Sequence, residues 1–102
     1  MDLSGIEVGF EYGESDTDVR REIVRNVHTL LLTPVGTCPL YRDFGLDVTY
    51  LDFPPNIAKG LFTAAAIEAV ERWEPRVRVS GVDFRADGTE GKLRAKVVLA
   101  IG

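Results

Sequence analysis

The segment Thr33–Leu46, TPVGTCPLYRDFGL, separates two helical patterns and ends in the charged and aromatic tetrapeptide Arg42–Gly45. No regular apolar period returns before the next helix, apart from an alternation at Leu46, Val48 and Tyr50 that predicts a short strand. Irregular connections longer than about 12–15 residues are uncommon in compact domains and are usually functional. We therefore expect this segment to hold a site or to contact a partner.

Apolar residues at helical spacing flank the segment on both sides. Before it, the pattern predicts a helix over about Asp16–Leu32. After it, a second helix is predicted over Pro55–Trp73, since proline suits the first turn of a helix. Pro75 ends this helix because its ring disfavours the helical conformation of Glu74.

Three further segments alternate between apolar and polar residues, which predicts β-strands. They are the N-terminal segment Ile6–Tyr12, the segment Val77–Phe84 with a bulge at Gly81, and the segment Lys92–Ile101. Arg85–Gly91 contains an Asp-Gly pair and a second glycine, which indicates a hairpin turn. The sequence therefore predicts an α+β fold, with two helices packed on a small antiparallel sheet with a C-terminal β-hairpin, in a single domain of residues 1–102.

The final half of the last strand is apolar on both of its faces, which requires a cover on each side. The residues concerned are Val97, Val98, Leu99, Ala100 and Ile101. Either a helix of the same domain covers them, or they form an open sheet edge that strands from a partner complete. The sequence leaves both interpretations open, and the second makes these five residues candidates for partner binding.

Composition limits the class of protein. The 102 residues are 45% hydrophobic and carry a net charge of -4, which suits one domain and argues against a nucleic-acid partner. Cys38 is the single cysteine and His28 the single histidine, so neither a disulfide, a metal site nor a catalytic triad is expected, and no cofactor. No secretory signal or membrane-spanning run is visible, so we expect a soluble protein made in the cytosol.

Two landmarks in a fixed order carry a family resemblance. The segment Gly36–Leu46, GTCPLYRDFGL, is followed by a helix and then by Glu74-Pro75-Arg76 leading into a strand pair. This arrangement resembles the baseplate wedge family of contractile phage tails, which is often labelled lysozyme-like and includes a baseplate subunit of type VI secretion systems. The resemblance covers about Val19–Ile101, and Cys38 departs from the basic or aliphatic residue that such loops often carry.

The resemblance implies a structural subunit that lies between the wedge proteins and the tail sheath protein and starts sheath assembly by strand exchange. It implies that Glu74, Pro75 and Arg76 contact the wedge core, and Arg42 and Asp43 are further candidates for partner binding. Without the resemblance, an internal ion pair or a solvated helix end would be the expected role of Glu74 and Arg76. The implied location is the virion baseplate, assembled in the host cytoplasm, with oligomers formed only within the assembly.

Two alternatives come from other classes of protein. A small cell-wall hydrolase of the lysozyme type would need two carboxyl groups, one with a raised pKa. Glu68, Glu71 and Glu74 are available, but Arg72 and Arg76 lie among them and basic neighbours lower a carboxyl pKa. We therefore expect no catalytic residue and no enzyme activity. A generic adaptor that binds through a sheet edge remains open.

Overall fold

A computed structural model describes residues 3–11, 18–37, 39–40, 42–87 and 92–101. Both predicted helices and three of the four predicted strands are present in it, and the second helix and the last strand have the predicted bounds. The predicted helix start near Asp16, the tip of the hairpin turn and Cys38 lie outside the described residues. In chain order the elements are β1 (Leu3–Phe10), α1 (Asp18–Leu32), a 3-10 helix (Thr49–Asp52), α2 (Pro55–Trp73), β2 (Val77–Asp87) and β3 (Lys92–Ile101).

The strands of the described ranges form one sheet in the order β1-β3-β2. β2 and β3 pair in antiparallel fashion, as the predicted hairpin requires, whereas β1 runs parallel to β3. The sheet is therefore mixed, and the prediction of a purely antiparallel sheet was wrong for β1. Alternation of apolar and polar residues along a strand reveals its two faces but not the direction of the neighbouring strand. The connection from β1 to β3 contains both helices and is long enough for a parallel crossover.

β2 contains a bulge, with Ser80 as the extra residue where Gly81 was predicted. The register with β3 shifts between Val79 and Gly81, which leaves Ser80 as the extra residue. Val79 pairs with Leu99 and Val82 pairs with Val97, so both valines face the same side of the sheet although they are three positions apart. The bulge is what keeps the apolar face of β2 continuous.

Both helices pack on one face of this sheet, α1 against β1 and α2 against β2. Phe62 of α2 lies at the centre with no exposed surface, in edge-to-face contact with Tyr50 at 5.2 Å and with Phe84 at 5.7 Å between ring centroids. Burial of such a ring stabilises the fold by roughly 1.5–3 kcal/mol. Lys92, Arg94 and Lys96 alternate onto the opposite face, where they are exposed.

β3 is the central strand, so the interpretation of its final half as an open sheet edge was wrong. Val97, Val98 and Leu99 each have a partner on β1 and another on β2, and Ala100 and Ile101 pair with β2. Val97 and Leu99 are fully buried beneath the helices. Helices of the same domain therefore cover this face of β3, as the other interpretation predicted. A strand that is apolar on both faces is as typical of the middle of a sheet as of an edge completed by a partner.

The segment after Leu46 forms a 3-10 helix, so the prediction of a short strand there was wrong. Leu46 and Tyr50 are nonetheless buried, because the tight turn directs both side chains into the core. A single parallel bridge joins Pro34 to Leu46, with the Val35 N–H donating to the Leu46 carbonyl at 3.0 Å. The long connection is thus folded back on itself.

Candidate functional site

Gly45 allows the two arms of the Thr33–Leu46 loop to cross at close range. Its φ is +127°, a backbone conformation that residues with a side chain rarely adopt. A Cβ atom here would overlap the Thr33 carbonyl oxygen and lie 2.9 Å from the Val35 nitrogen. The Leu46 N–H donates to the same Thr33 carbonyl at 2.8 Å, so the crossing is held by backbone hydrogen bonds. The glycine is required by geometry at this position.

The loop is fastened to the last turn of α2. Phe44 packs edge-to-face on Trp73 with 5.2 Å between ring centroids, and the Trp73 Nε1–H donates to the Asp43 carbonyl at 3.3 Å. Arg72 Nη2 lies 3.1 Å from Asp43 Oδ2. Because both members of that ion pair are mostly exposed, it contributes only about 0–1 kcal/mol, and the aromatic contact is the stronger connection. We call this junction of Asp43, Phe44, Trp73, Glu74 and Arg76 the helix-exit corner.

Glu74 connects three elements at the helix-exit corner. Its residue is only 7% exposed, and its carboxylate accepts two hydrogen bonds from Arg76, Nε to Oε1 at 2.5 Å and Nη2 to Oε2 at 3.0 Å. The Asn26 side chain of α1 also hydrogen-bonds to it. Glu74, Asn26, Phe44 and Trp73 line one cavity of about 280 Å³. The carboxylate therefore joins the end of α2 to α1 and to the entrance of β2.

The ionised form of Glu74 is favoured at this position. The hydrogen bonds from Arg76 lower the pKa of Glu74, and they outweigh burial, which raises it. The charge of Arg76 and the hydrogen bond from Asn26 act in the same direction as the Arg76 hydrogen bonds. A general acid needs a raised pKa, so the direction of this shift argues against the hydrolase alternative.

The predicted partner-binding residues of the chain divide into inward and outward groups. Glu74 faces inward and holds Arg76, which is the internal ion pair that the sequence left as an alternative. Pro75, Arg42 and Asp43 are exposed, and the Arg76 side chain is 47% exposed. Glu74 therefore orients Arg76 and is not itself presented to a neighbour. The sequence did not single out Asn26, since a lone asparagine on a helix carries no signal of its partner.

The outer edge of β1 pairs with no other strand of the described ranges, which makes it a second candidate surface that sequence reasoning missed. The Glu11 N–H donates to the Leu99 carbonyl at 2.8 Å, and alternate residues of a parallel strand bond to the same neighbour. Glu7 and Gly9 therefore bond to β3, and the N–H and C=O groups of Ile6, Val8 and Phe10 point away from it. We call the outward backbone of Ile6, Val8 and Phe10 the β1 edge.

His28 has a structural role at the β1 edge. Its Nε2 lies 3.0 Å from the Ile6 carbonyl oxygen, and since a carbonyl only accepts, Nε2–H is the donor. This bond agrees with an Ile6 carbonyl that faces away from β3, and because it occupies that carbonyl, an added strand would pair with Val8 and Phe10. A groove of about 560 Å³ runs beside the edge, between β1 and α1, and its walls include Val24, Arg21 and Arg25. An extended segment placed along the β1 edge would lie next to apolar and basic side chains.

Other site classes have less support in the part of the chain that the structure describes. Within the described ranges, no group of three His, Cys, Asp or Glu side chains is arranged to hold a metal ion. Neither described helix combines the length and the apolar character that a membrane crossing requires.

The comparisons with known proteins identify the family. No curated protein sequence matches this chain. The family described as baseplate wedge protein gp25 matches residues 17–101, a range that includes both helices, the Thr33–Leu46 loop, β2 and β3, while β1 precedes it. The match covers most of the chain and agrees with the resemblance carried by the loop and by Glu74-Pro75-Arg76. The chain belongs to the family of baseplate wedge protein gp25.

Proposed function

We propose that this chain joins the wedge proteins of a contractile-tail baseplate to the first ring of the tail sheath and starts sheath assembly. The family makes the chain a structural component of a phage tail baseplate and therefore of the virion tail. The finer role rests on two surfaces with no residue in common, the β1 edge and the helix-exit corner. In this proposal the subunit enters the baseplate in the host cytoplasm and reaches its oligomeric state only there.

The open β1 edge is the observation that carries the sheath-binding part of the proposal. A strand added to a sheet edge gains main-chain hydrogen bonds, and the side chains beside it set its specificity. The outer edge of β2 is less suited to such pairing, because the bulge at Ser80 interrupts its register. β1 is regular from Gly5 to Phe10 and presents no proline. Arg25 in the adjacent groove favours an incoming strand with acidic residues, whereas Arg21 is already paired with Asp18.

The helix-exit corner is the surface proposed to face the wedge proteins. Glu74 fixes the guanidinium of Arg76 through two hydrogen bonds, so this cation loses little freedom when it binds a partner carboxylate. Arg42 and Asp43 extend the exposed polar surface of the same loop. Pro75 fixes the direction in which the chain leaves α2. The role of Arg76 therefore depends on Glu74, although Glu74 is buried.

The sheath-binding part is tested by substitutions at Val8, whose N–H points outward. Val8→Pro removes this donor, while Val8→Ala keeps it and removes more apolar volume, so the two form a matched pair. Each variant is supplied to tails that lack this subunit, and sheathed tails are counted by electron microscopy. We expect Val8→Pro to fold by circular dichroism yet to leave tails unsheathed, and Val8→Ala to support sheathing. Normal sheathing by Val8→Pro would overturn the proposal.

A charge reversal in the groove supplies a second test that does not depend on the backbone. Arg25 is exposed on α1 and lines the groove beside the β1 edge, so Arg25→Glu preserves folding and repels an acidic strand. Arg85→Glu, an exposed reversal on β2, is the control. We expect a reduced number of sheathed tails only for Arg25→Glu.

For the wedge contact, Arg42→Glu should reduce co-purification with the wedge proteins relative to the same control.

A further inference from the structure

α2 is apolar on two sides, and only one of them packs against other residues that the structure describes. Ala58, Phe62 and Ala66 are fully buried against the sheet. On the outer side, Ile57 is 47% and Leu61 is 38% exposed, and the exposed Ala64 follows at helical spacing. A helix that is apolar all round is normally buried on all sides. The outer side of α2 therefore has the pattern of an interface.

A groove runs between this outer side and the Thr33–Leu46 loop, with a volume of about 390 Å³. Its floor consists of the small residues Ala64 and Ala65, and its apolar walls are Leu61 and Val35, the latter 47% exposed. Small residues allow the backbone of a second element to approach at the short end of the usual helix separation of about 8–10 Å. We call this feature the α2 groove.

The rim of the α2 groove is acidic. Asp43, Asp47 and Glu68 line it, with Arg72 as the one cation among its lining residues in the described ranges. Arg72 is engaged by Asp43, so the carboxylates of Asp47 and Glu68 remain as the net charge of the rim. This distribution is complementary to a partner with lysine or arginine on either side of an apolar stripe.

The backbone of α2 determines the kind of element that fits. An extended segment in the groove would find no free backbone donors or acceptors on the middle turns of a helix, so its own polar groups would be left without partners. A helix satisfies its own backbone and needs only side-chain contacts. The outer apolar side from Ile57 to Glu68 is about three turns long, roughly 16 Å, which matches a short amphipathic helix.

We propose that the α2 groove binds a basic amphipathic helix of a neighbouring baseplate protein. Its apolar stripe packs on Leu61 and Ala64, and its cations face Asp47 and Glu68. The identity of the neighbour as a baseplate protein rests on the proposed function, whereas the chemistry of the helix follows from the groove. The α2 groove shares Asp43 and Trp73 with the helix-exit corner but no residue with the β1 edge, so the groove proposal and the sheath-binding part of the proposed function can fail separately.

The test is a photo-crosslinking amino acid at position 64, compared with one at Glu71, which is exposed on the same helix but does not line the groove. Crosslinking is carried out in assembled baseplates, and the joined peptide is sequenced by mass spectrometry. We expect position 64 to crosslink to a segment with helical apolar spacing and at least two flanking lysines or arginines, at a yield several-fold above that of position 71. A crosslink to an acidic segment, to a β-strand, to a second copy of this chain, or to nothing would overturn the proposal.

The charge requirement is tested with the double variant Asp47→Lys, Glu68→Lys, for which Asp83→Lys with Glu71→Lys is the control of equal charge. Both pairs are exposed, so folding should be retained, which circular dichroism verifies. We expect the groove variant to lower the position-64 crosslink about tenfold, the factor that corresponds to about 1.4 kcal/mol. An equal loss in both variants would overturn the role of the acidic rim. Sheathing that persists in the absence of any position-64 crosslink would refute the groove proposal and leave the proposed function standing.

Discussion

Three glycine-to-alanine substitutions separate what the loop crossing requires from what any glycine contributes. Gly45 has a φ of +127° and no room for a Cβ, Gly36 has a φ of +90° with nothing within 4 Å, and Gly60 lies in α2 with nothing within 4 Å. The same methyl group is added at each position. The differences in stability between the variants therefore report the local geometry alone.

The structure sets the magnitude for Gly45→Ala. A residue with a side chain in this backbone region costs about 1–3 kcal/mol. The Cβ also overlaps the Thr33 carbonyl, so the crossing must open and the hydrogen bonds that join Leu46 to Thr33 and Val35 are weakened. These two bonds contribute about 0.5–1.5 kcal/mol each. The expected loss is about 4 kcal/mol, a large part of the ~5–15 kcal/mol that stabilises a typical domain.

The two other substitutions serve as internal controls. Gly36→Ala should lower the free energy of unfolding only by the cost of the unfavourable backbone conformation, about 1–3 kcal/mol. Gly60→Ala should gain roughly 0.5–1 kcal/mol, because alanine is the better helix former and the space is open.

Urea unfolding measures all three changes, and an unchanged slope shows that they act on stability. Trp73 is the single tryptophan, and its contact with Phe44 makes its fluorescence a reporter of loop docking. Only Gly45→Ala should shift the native emission to longer wavelength. If Gly45→Ala costs no more than Gly36→Ala, the reasoning about the crossing is refuted.

Three further predictions concern the core and its titrating groups. Arg76 lowers the pKa of Glu74 below its ordinary value of 4.5, so the stability that the ionised group supplies is present above that pH and lost as the pH falls below it. Urea unfolding across this range should show a flatter pH profile for Glu74→Gln, and identical profiles would contradict the pairing. Burial raises the pKa of Tyr50 above its ordinary value of 10.0, so stability should decline as the pH rises past that value, and Tyr50→Phe should lack this component. Phe62→Ala should lower the free energy of unfolding by about 3–5 kcal/mol. Phe44→Ala should lower it by less, because Phe44 is only half-buried. Equal losses in urea unfolding would show that Phe62 is not the centre of the core.

Local patterns predicted those features that depend on neighbouring residues. The bounds of α2 follow from Pro55 and Pro75, because proline acts on the residues next to it. The bulge in β2 follows from the spacing of Val79 and Val82 beside Gly81. These two valines are three positions apart, whereas neighbours on one face of a regular strand are two apart.

Local sequence patterns did not predict the features that depend on segments far apart in the chain. The apolar run of β3 is compatible with an edge or with a centre, and the choice is made by β1, about 80 residues earlier and parallel. Glu74 and Arg76 are two residues apart, and their spacing does not show whether they pair with each other or with a neighbour. Glu74 is buried at a cavity that α1 also lines, which no local pattern shows. Charge reversal at Glu74 would bury a cation next to Arg76, so we expect it to destabilise the fold.

The most direct test of the central claim is a cryo-electron microscopy reconstruction of an assembled tail at a resolution that shows backbone. We expect this chain in the baseplate, with a strand from a sheath subunit hydrogen-bonded to the β1 edge at Val8 and Phe10, and with the helix-exit corner against a wedge protein. A β1 edge that faces solvent in sheathed tails, or a sheath that contacts the baseplate without touching this chain, would contradict it.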